Sequence, residues 1–442
     1  MILRTVTRHT YSVCPVCLKR IPAVHVSYGK EIYLEKTCPE HGPFSSVIWR
    51  GLRDMEAWRG SLPSIAEGEN EDCPNACGLC VEHRQDTCCV LLEVTKRCNL
   101  RCPFCFAEGG DGEDIPLDVI VERLKALAVP GKTLVQLSGG EPTVRNDLPE
   151  IVAAAKDAGC QYVQLNTNAI RLGQDSQYVK SLKEAGLSFV FMQFDGMDDG
   201  IYRTLRGKDL LSIKKQAIHN CARHNLGVTL VPTIVPGVNT QDIGNMIRFA
   251  ISQSPGVRGV HFQPVSYFGR VPTLPSDAQR FTLDELLDAI EDQAGALVPM
   301  DSLLPSRCDH PLCGFHGDYI VMPDQVLYPL HRINTSSGNA TTADQNRSFV
   351  ARKWQRPKPD EVGKSDSTGP GSSFDSFTGF IRRIRSHSFT LTAMAFQDAG
   401  NLDLERLRRC SLHVFDDGRF VPFCAYYLTT QICYMPGHEG SA

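Results

Sequence analysis

Three cysteines stand close enough together in the sequence to bind one metal centre from a single loop. They lie in the stretch Cys98-Asn99-Leu100-Arg101-Cys102-Pro103-Phe104-Cys105. A tetrahedral zinc site needs four ligands, and no fourth Cys or His follows closely. A cubane iron–sulfur cluster held by three thiolates instead leaves one iron open to an external ligand. The spacing therefore predicts a catalytic iron–sulfur centre on Cys98, Cys102 and Cys105.

A second group repeats this spacing shortly before the first. Cys73, Cys77 and Cys80 are followed by Cys88 and Cys89, either of which could supply a fourth thiolate. We favour Cys88, because Cys89 begins an apolar strand and its side chain would point to the other face. Four thiolates close the coordination shell, so this group predicts an auxiliary 4Fe–4S cluster that transfers electrons or shapes the site. A four-cysteine zinc site is the alternative.

A third group is split between two distant parts of the chain. Cys308 and Cys313 are followed about 100 residues later by Cys410 and Cys424. Each pair lies in a turn or short strand, and the two pairs together could bind a second auxiliary cluster. Surface thiols or a zinc site are the alternatives.

The N-terminal 50 residues carry two further ligand pairs on two turns. Cys14, Cys17, Cys38 and His41 frame a segment of β-type sequence, in the manner of a rubredoxin or zinc-ribbon knuckle. This group predicts one mononuclear metal site. The ligand types do not decide between iron and zinc.

The central part of the chain alternates strands and helices. Apolar, β-rich runs occupy residues 90–95, 133–138, 161–166, 188–194, 228–235 and 257–263. Helical patterns between them imply βα units on a parallel sheet, so the fold class is α/β. Six such units make a partial (β/α)6 barrel of the TIM type. The first run ends just before Cys98, at the edge where parallel barrels place their active sites.

Polar and glycine residues at the ends of these runs are candidate binding residues. Gly139 and Gly140 would let the backbone approach a ligand closely, and Pro142 would stiffen the loop, although a plain turn is the alternative. Asn166 and Asp195 end the third and fourth runs. They could bind a ribose or a substrate, or serve as ordinary caps.

Composition narrows the class of protein. The chain has 442 residues, a net charge of −4 and 18 cysteines. This charge does not favour nucleic acid as a partner. We find no secretory signal and no apolar run of about 20 residues, so we expect a cytoplasmic protein without a membrane span. Peripheral membrane contact stays open. Clustered cysteines without an export signal favour metal sites over disulfides.

These patterns predict five parts of the chain, one of which is split in sequence. They are a metal module (1–50), an auxiliary-cluster segment (51–89), the barrel (90–295), a C-terminal auxiliary-cluster region (296–333 and 405–442) and a flexible linker (334–376).

The main cysteine loop resembles the signature of the radical S-adenosylmethionine (SAM) enzymes. That signature is Cys-x3-Cys-x-aromatic-Cys, with Phe104 as the aromatic residue here. In that family SAM chelates the open iron, and an electron from the cluster cleaves SAM to a 5′-deoxyadenosyl radical. The resemblance implies that Gly139, Gly140, Glu141 and Pro142 form the SAM-binding loop. It also implies a ferredoxin- or flavodoxin-type electron donor.

The order of the cysteine groups is similar to one subgroup of that family. This subgroup includes the archaeal tetraether lipid synthase and proteins assigned as dihydropterin methyltransferases, and the resemblance covers residues 10–330 and 405–428. It implies hydrogen abstraction from an unactivated carbon, first for C–C bond formation on a lipid chain. Methyl transfer to a dihydropterin is the alternative. A zinc scaffold without enzymatic activity is the third hypothesis, and the SAM loop and the βα units argue against it.

Overall fold

The computed structural model describes residues 3–62, 73–74, 78–270, 275–331, 341–357 and 377–429. Within residues 3–62, four antiparallel strands form a separate sheet in sequential order. These elements are β1 (Arg4–Val13), β2 (Arg20–Tyr28), β3 (Glu31–Cys38), β4 (Gly42–Arg50) and the short helix α1 (Met55–Arg59). Cys14 follows β1 and Cys38 ends β3, so the turns that carry the two ligand pairs lie at the same end of this sheet.

The middle of the chain folds as the alternation of strands and helices predicted. Its elements are β5 (Cys89–Arg97), β6 (Asp111–Asp114), α2 (Leu117–Leu127), β7 (Leu134–Gly139), α3 (Leu148–Asp157), β8 (Tyr162–Thr167), α4 (Ile170–Gln174), α5 (Ser176–Glu184), β9 (Phe189–Gln193), α6 (Asp199–Arg206), α7 (Leu211–Arg223), β10 (Gly227–Val231), β11 (Thr233–Ile234), α8 (Ile243–Ser252), β12 (Val257–Pro264) and α9 (Leu283–Ala294). In the described part of this region, the six predicted runs form parallel neighbours in the order β5-β7-β8-β9-β10-β12. The predicted α/β class and the six βα units are confirmed.

The helices pack on the sheet through one apolar face. In α3, Leu148, Ile151, Val152 and Ala155 recur at helical spacing, and all four are fully buried. The outward face of the sheet meets them with residues such as Val163. This packing holds the strands in register, so the loops at their carboxyl ends occupy fixed positions.

The C-terminal region extends the sheet at both of its edges. Its elements are β13 (Leu304–Pro305), β14 (Phe315–Val321), β15 (Leu327–Pro329), α10 (Ala343–Trp354), α11 (Phe377–Ser386), β16 (Ser388–Ala393), α12 (Leu404–Leu407), β17 (Leu412–Asp416), β18 (Arg419–Pro422) and α13 (Phe423–Thr429). Strand β16 pairs in parallel with β12, and β17 pairs in parallel with β5. The segments beyond residue 295 are thus continuous with the sheet and do not lie behind it.

Helix α10 corrects the prediction of a linker over 334–376. Its Ala351 and Trp354 are buried in one apolar cluster with Leu134 and Phe189, which lie at the first residues of β7 and β9. The helix therefore covers the amino ends of the strands. The linker prediction is wrong here because the polar composition concealed a short apolar face and a capping box at Thr342. Residues 334–340 and 358–376 of the predicted linker lie outside the described residues.

No helix in the described ranges combines the length and the apolar character that crossing a bilayer requires.

Candidate active site

The three cysteines of the main loop lie at the carboxyl end of β5. Cys98, Cys102 and Cys105 belong to one apolar cluster with Tyr202 of α6, and all three line a cavity of about 960 Å³. Burial raises the pKa of Cys98 to about 12 and also raises the pKa of Cys105. Neighbouring thiols in such a place ionise together only if a cation binds them. The donor set therefore fits a metal centre on three thiolates.

Two backbone contacts hold this loop in place. The Cys98 N–H donates to the Gly110 carbonyl at 2.8 Å. Cys105 and Arg270 exchange both backbone hydrogen bonds at 3.0 Å, and the Arg270 guanidinium also donates to the Cys102 carbonyl. The positions of the thiols are thus set by the barrel on one side and by the segment after β12 on the other.

The two glycines after β7 pack against the end of β5. Gly139 has a φ of +122°, and a Cβ there would lie 2.3 Å from the Thr95 carbonyl oxygen. A Cβ on Gly140 would lie 2.2 Å from the Arg97 carbonyl oxygen. Glycine is needed at both positions because the SAM-loop candidate rests on the strand that leads into the cysteines. We expected a close approach to a ligand; the close approach seen is to the chain itself, and both glycines also line the cavity.

Glu141 is an internal anchor. Its Oε1 accepts hydrogen bonds from the Thr143 N–H and hydroxyl and from the Thr167 hydroxyl at 3.0, 2.6 and 2.6 Å. Its Oε2 accepts from the Asn168 N–H at 2.6 Å. The residue is 1% exposed, and Pro142 beside it is buried at the start of a 3₁₀ turn. With these partners the carboxylate positions the loop.

The network from Glu141 reaches the cysteine loop. The Asn168 side-chain amide donates to Asn99 Oδ1 at 2.7 Å, and Asn99 directly follows Cys98. Lys214, which is fully buried, donates to the carbonyls of Asn168 and Gln193 at 2.7 and 2.6 Å. Burial lowers the pKa of Lys214 to about 8. Loop, strand ends and cysteines are therefore connected by one polar network, which is buried at Glu141, Asn168 and Lys214 and reaches the surface at Asn99.

Asp195, for which the sequence left open a ribose or substrate contact or an ordinary cap, is engaged within the protein. It is fully buried and its carboxylate forms a bidentate ion pair with Arg206 at 2.7 and 2.8 Å. Oδ1 also accepts from the Thr233 N–H at 3.1 Å. The polar residue at the strand end is a partner for the buried Arg206, which lines the cavity beside Cys102. Asp195 positions that guanidinium.

Asn166 lies on the cavity wall, as a binding role would require. Its Oδ1 accepts from Gln164 Nε2 at 2.7 Å, and its amide faces Gln136 Oε1 at 3.4 Å. A role in cofactor binding stays a prediction.

The N-terminal cysteine and histidine group closes into one site. The ligand atoms of Cys14, Cys17, Cys38 and His41 all lie within 4.8 Å of one another. Burial alone would raise the pKa of Cys38, but hydrogen bonds from His41 and from backbone N–H groups lower it to about 6. Four such ligands around one point fit a single tetrahedral metal ion.

The remaining cysteines are arranged differently from the predicted groups. Cys88 and Cys308 belong to one small buried cluster. Cys73 instead packs in the same apolar cluster as Cys424. Ser411 joins the segments of Cys88 and Cys308, because its carbonyl accepts from the Cys88 N–H at 2.8 Å and its own N–H donates to Asp309 Oδ1 at 2.7 Å. Cys80 is exposed, and Cys77 lies outside the described residues.

Two further cysteines of the C-terminal group lie around a buried arginine. Arg406 Nε donates to Cys313 Sγ at 3.5 Å. The charges of Cys313 and Cys424 both favour the protonated form of this guanidinium. Burial raises the pKa of Cys410 and that of Cys424. Cys313, Cys410 and Cys424 thus share one buried region. Cys308 lies outside it, beside Cys88.

Sequence reasoning missed one wall of the cavity. His316 and Asp318 of β14 and Thr390 and Thr392 of β16 line it opposite the strands of the predicted barrel. The signal was the alternation of His316 and Asp318 in an otherwise apolar strand. It was missed because the barrel was expected to end at residue 295.

Comparison with known proteins agrees with this geometry. The family model of the radical SAM superfamily matches residues 92–250, and a model described as the HMPTM N-terminal zinc ribbon domain matches residues 6–50. The 7,8-dihydro-6-hydroxymethylpterin dimethyltransferase of Methanocaldococcus jannaschii is 33% identical, over 95% of this chain and 93% of its own. The chain belongs to the radical SAM superfamily.

More distant relatives match a smaller share of this chain. The Fe-coproporphyrin III synthase of Methanosarcina barkeri is 33% identical over 57% of this radical SAM protein and 64% of its own length. A crystal structure of Streptococcus suis SuiB bound to S-adenosylmethionine is 17% identical, with a TM-score of 0.38 over 48% of each chain. The recognition of a radical SAM enzyme from the cysteine loop is confirmed. Its family implies a 4Fe–4S cluster and SAM.

Proposed function

We propose that this radical SAM enzyme transfers methyl groups to a dihydropterin. The observation that carries the proposal is a set of polar side chains that reach the cavity containing the three cysteines. Gln136, Asn166, Gln193, His261 and Asp318 reach it from different strands. Polar groups that converge from several strands favour a heterocycle, which needs fixed hydrogen-bond partners, over a lipid chain, which offers none along its length.

The size of the cavity is in keeping with this substrate. Ligand sites span about 300–1,000 Å³, and a cavity of about 960 Å³ is large enough for SAM and one bicyclic heterocycle together. The M. jannaschii relative, whose name specifies a dihydropterin as its substrate, matches nearly the whole chain. C–C bond formation on a lipid chain, our first expectation from the sequence, has no comparable support.

The residues around the cavity have separate roles in this proposal. Cys98, Cys102 and Cys105 would hold the 4Fe–4S cluster, which when bound to SAM supplies the electron that cleaves it to a 5′-deoxyadenosyl radical. Gly139 and Gly140 would present their backbone to SAM. Glu141, together with the Asp195–Arg206 pair, keeps these groups in place. Asn166 would contact SAM or the substrate.

The other cysteines serve electron transfer and stability in this proposal. One auxiliary 4Fe–4S cluster would include Cys88 and Cys308, and another Cys313, Cys410 and Cys424. Cys73, Cys77 and Cys80 are candidate ligands to complete either shell. A mononuclear iron or zinc ion would occupy the N-terminal site. A ferredoxin- or flavodoxin-type protein would supply electrons.

A reducing, cytoplasmic setting follows from the same chemistry. None of the sixteen cysteines in the described part of the chain forms a disulfide. Cysteines held as metal ligands rather than as disulfides are typical of a reducing compartment.

The experiment is anaerobic turnover of the reduced protein with SAM that carries a CD₃ group. We expect 5′-deoxyadenosine and CD₃-methionine from the SAM that starts the radical, and S-adenosylhomocysteine from a second SAM whose CD₃ group is transferred to 7,8-dihydro-6-hydroxymethylpterin. Cys102→Ala should abolish 5′-deoxyadenosine and the labelled pterin, whereas Cys160→Ala, in a buried position away from the site, should retain them. The proposal would be refuted in favour of lipid chemistry by two results together. SAM is cleaved but no labelled pterin forms, and an isoprenoid lipid in the same assay transfers hydrogen to 5′-deoxyadenosine.

A further inference from the structure

One buried carboxylate in the cavity has no described partner. Asp318 lies in the middle of β14 and is 5% exposed, and it lines the cavity that contains the three cysteines. Among the described residues, no hydrogen bond or ion pair engages its carboxylate. Such a group is costly to bury without a donor. Other buried carboxylates are engaged: Asp195 and Asp398 each have an arginine partner, and Glu141, which also lines the cavity, accepts four hydrogen bonds.

The surroundings of Asp318 show where a donor would come from. Lys353 and His331 act on it only through their charge, and burial raises the pKa of its carboxyl group. The facing Thr390 already accepts a hydrogen bond from Trp354 Nε1 at 3.2 Å. The next pair, Thr392 and His261, bond to each other at 2.8 Å. None of the hydrogen bonds of these neighbours reaches the Asp318 carboxylate, and the cavity that Asp318 lines is the open side from which a donor can approach.

We propose that Asp318 recognises the substrate through two adjacent N–H donors of its pyrimidine ring. A carboxylate accepts two parallel N–H bonds in the way it binds a guanidinium group. The 2-amino-4-oxopyrimidine edge of a pterin offers the same pair, from the ring N3–H and the exocyclic amino group. This inference rests on the proposed function and adds to it the residue that selects the 2-amino group.

Selectivity follows from the same geometry. If the 2-amino group is replaced by an oxygen, as in a lumazine, a carbonyl faces the carboxylate and one donor is lost. Hydrogen bonds to charged groups contribute enough that affinity should fall about 10- to 100-fold. A site built around a buried polar group rejects an analogue that leaves it unpaired.

The test compares two pteridines on three proteins. Dissociation constants for 6-hydroxymethylpterin and 6-hydroxymethyllumazine are measured without oxygen by the fluorescence of the pteridine, on the full chain with its metals. The wild type should bind the pterin about 10- to 100-fold more tightly. Asp318→Asn should lose most of this preference, since its amide can donate to the lumazine carbonyl. Asp324→Asn, which removes an exposed charge in the turn after the same strand, should keep the preference.

Each other outcome contradicts the inference in a different way. If Asp318→Asn weakens both pteridines equally, the residue is only structural. If it leaves both affinities unchanged, the carboxylate does not contact that edge. If the affinity for SAM falls instead, measured on the same samples, the carboxylate serves the adenine amino group. If the wild type binds neither pteridine, the proposed substrate is wrong, and the inference fails with it.

Discussion

Glu141 provides the strongest test of how the site is held together. Substituting glutamine preserves its size but replaces one carboxylate oxygen with an NH₂ group. The Glu141 carboxylate accepts four hydrogen bonds, three at Oε1 and one at Oε2. If the glutamine oxygen takes the place of Oε1, its NH₂ faces the Asn168 N–H. The reverse orientation turns the NH₂ toward three donors and is worse.

The magnitude follows from this conflict. A hydrogen bond to a charged group contributes about 1.5–3 kcal/mol, and a buried donor left unpaired costs about 1–3 kcal/mol. Because the residue is 1% exposed, water cannot compensate. We expect Glu141→Gln to lower the free energy of unfolding by about 3 kcal/mol. With a urea slope of about 3 kcal/mol/M, the midpoint would fall by about 1 M.

The assay has two readouts. Urea unfolding followed by circular dichroism gives the midpoint, and 5′-deoxyadenosine formation reports on the cysteine loop, to which Asn168 is bonded through Asn99. SAM cleavage should fall on the order of 10-fold or more, since small misplacements of reacting groups cost that much. Glu150→Gln, at an exposed site on α3, should change stability by less than about 0.5 kcal/mol. The reasoning is refuted if the two variants have the same midpoint and the same SAM cleavage.

Three further predictions concern other parts of the molecule. Gly140→Ala should abolish SAM cleavage, because its Cβ would lie 2.2 Å from a β5 carbonyl oxygen. Gly110→Ala is the control and should retain SAM cleavage, because a Cβ there has no atom within 4 Å. Equal losses of 5′-deoxyadenosine in the two variants would contradict this prediction. Cys38→Ser should remove the N-terminal metal, measured by elemental analysis, and lower the melting temperature, because β1 bonds to the C-terminal region through Ser12 and Leu402. Although burial opposes it, the neighbouring His310 ring at 3.9 Å and the hydrogen bond from Arg59 lower the pKa of Glu405 to about 2. The stabilisation by Glu405 is therefore present above pH 4.5 and lost as pH falls toward 2. The difference in urea midpoint between the wild type and Glu405→Gln should therefore shrink over that range, and a constant difference would count against the assignment.

The local pattern of the sequence was sufficient for the barrel and for the cysteine loop. The runs at 90–95 and 257–263 became β5 and β12 because apolar periodicity decides locally which segments can be buried strands. Cys98, Cys102 and Cys105 meet in space because seven residues of loop cannot carry them far apart. The same holds for Cys14 and Cys17, whose ligand atoms share one turn.

Contacts between distant segments decided the rest. The sequence left Asp195 as either a ligand-binding residue or a cap. The tertiary structure pairs it with Arg206 on the next helix. Cys88 lies beside Cys308 because Ser411, just before the C-terminal strand β17, hydrogen-bonds to the segments of both. The polar residues of α10 and β14 did not predict their positions. Helix α10 covers the amino ends of the strands, and β14 lines the cavity. Sequence patterns report on burial within a segment, whereas partners are set by hydrogen bonds and packing between segments hundreds of residues apart.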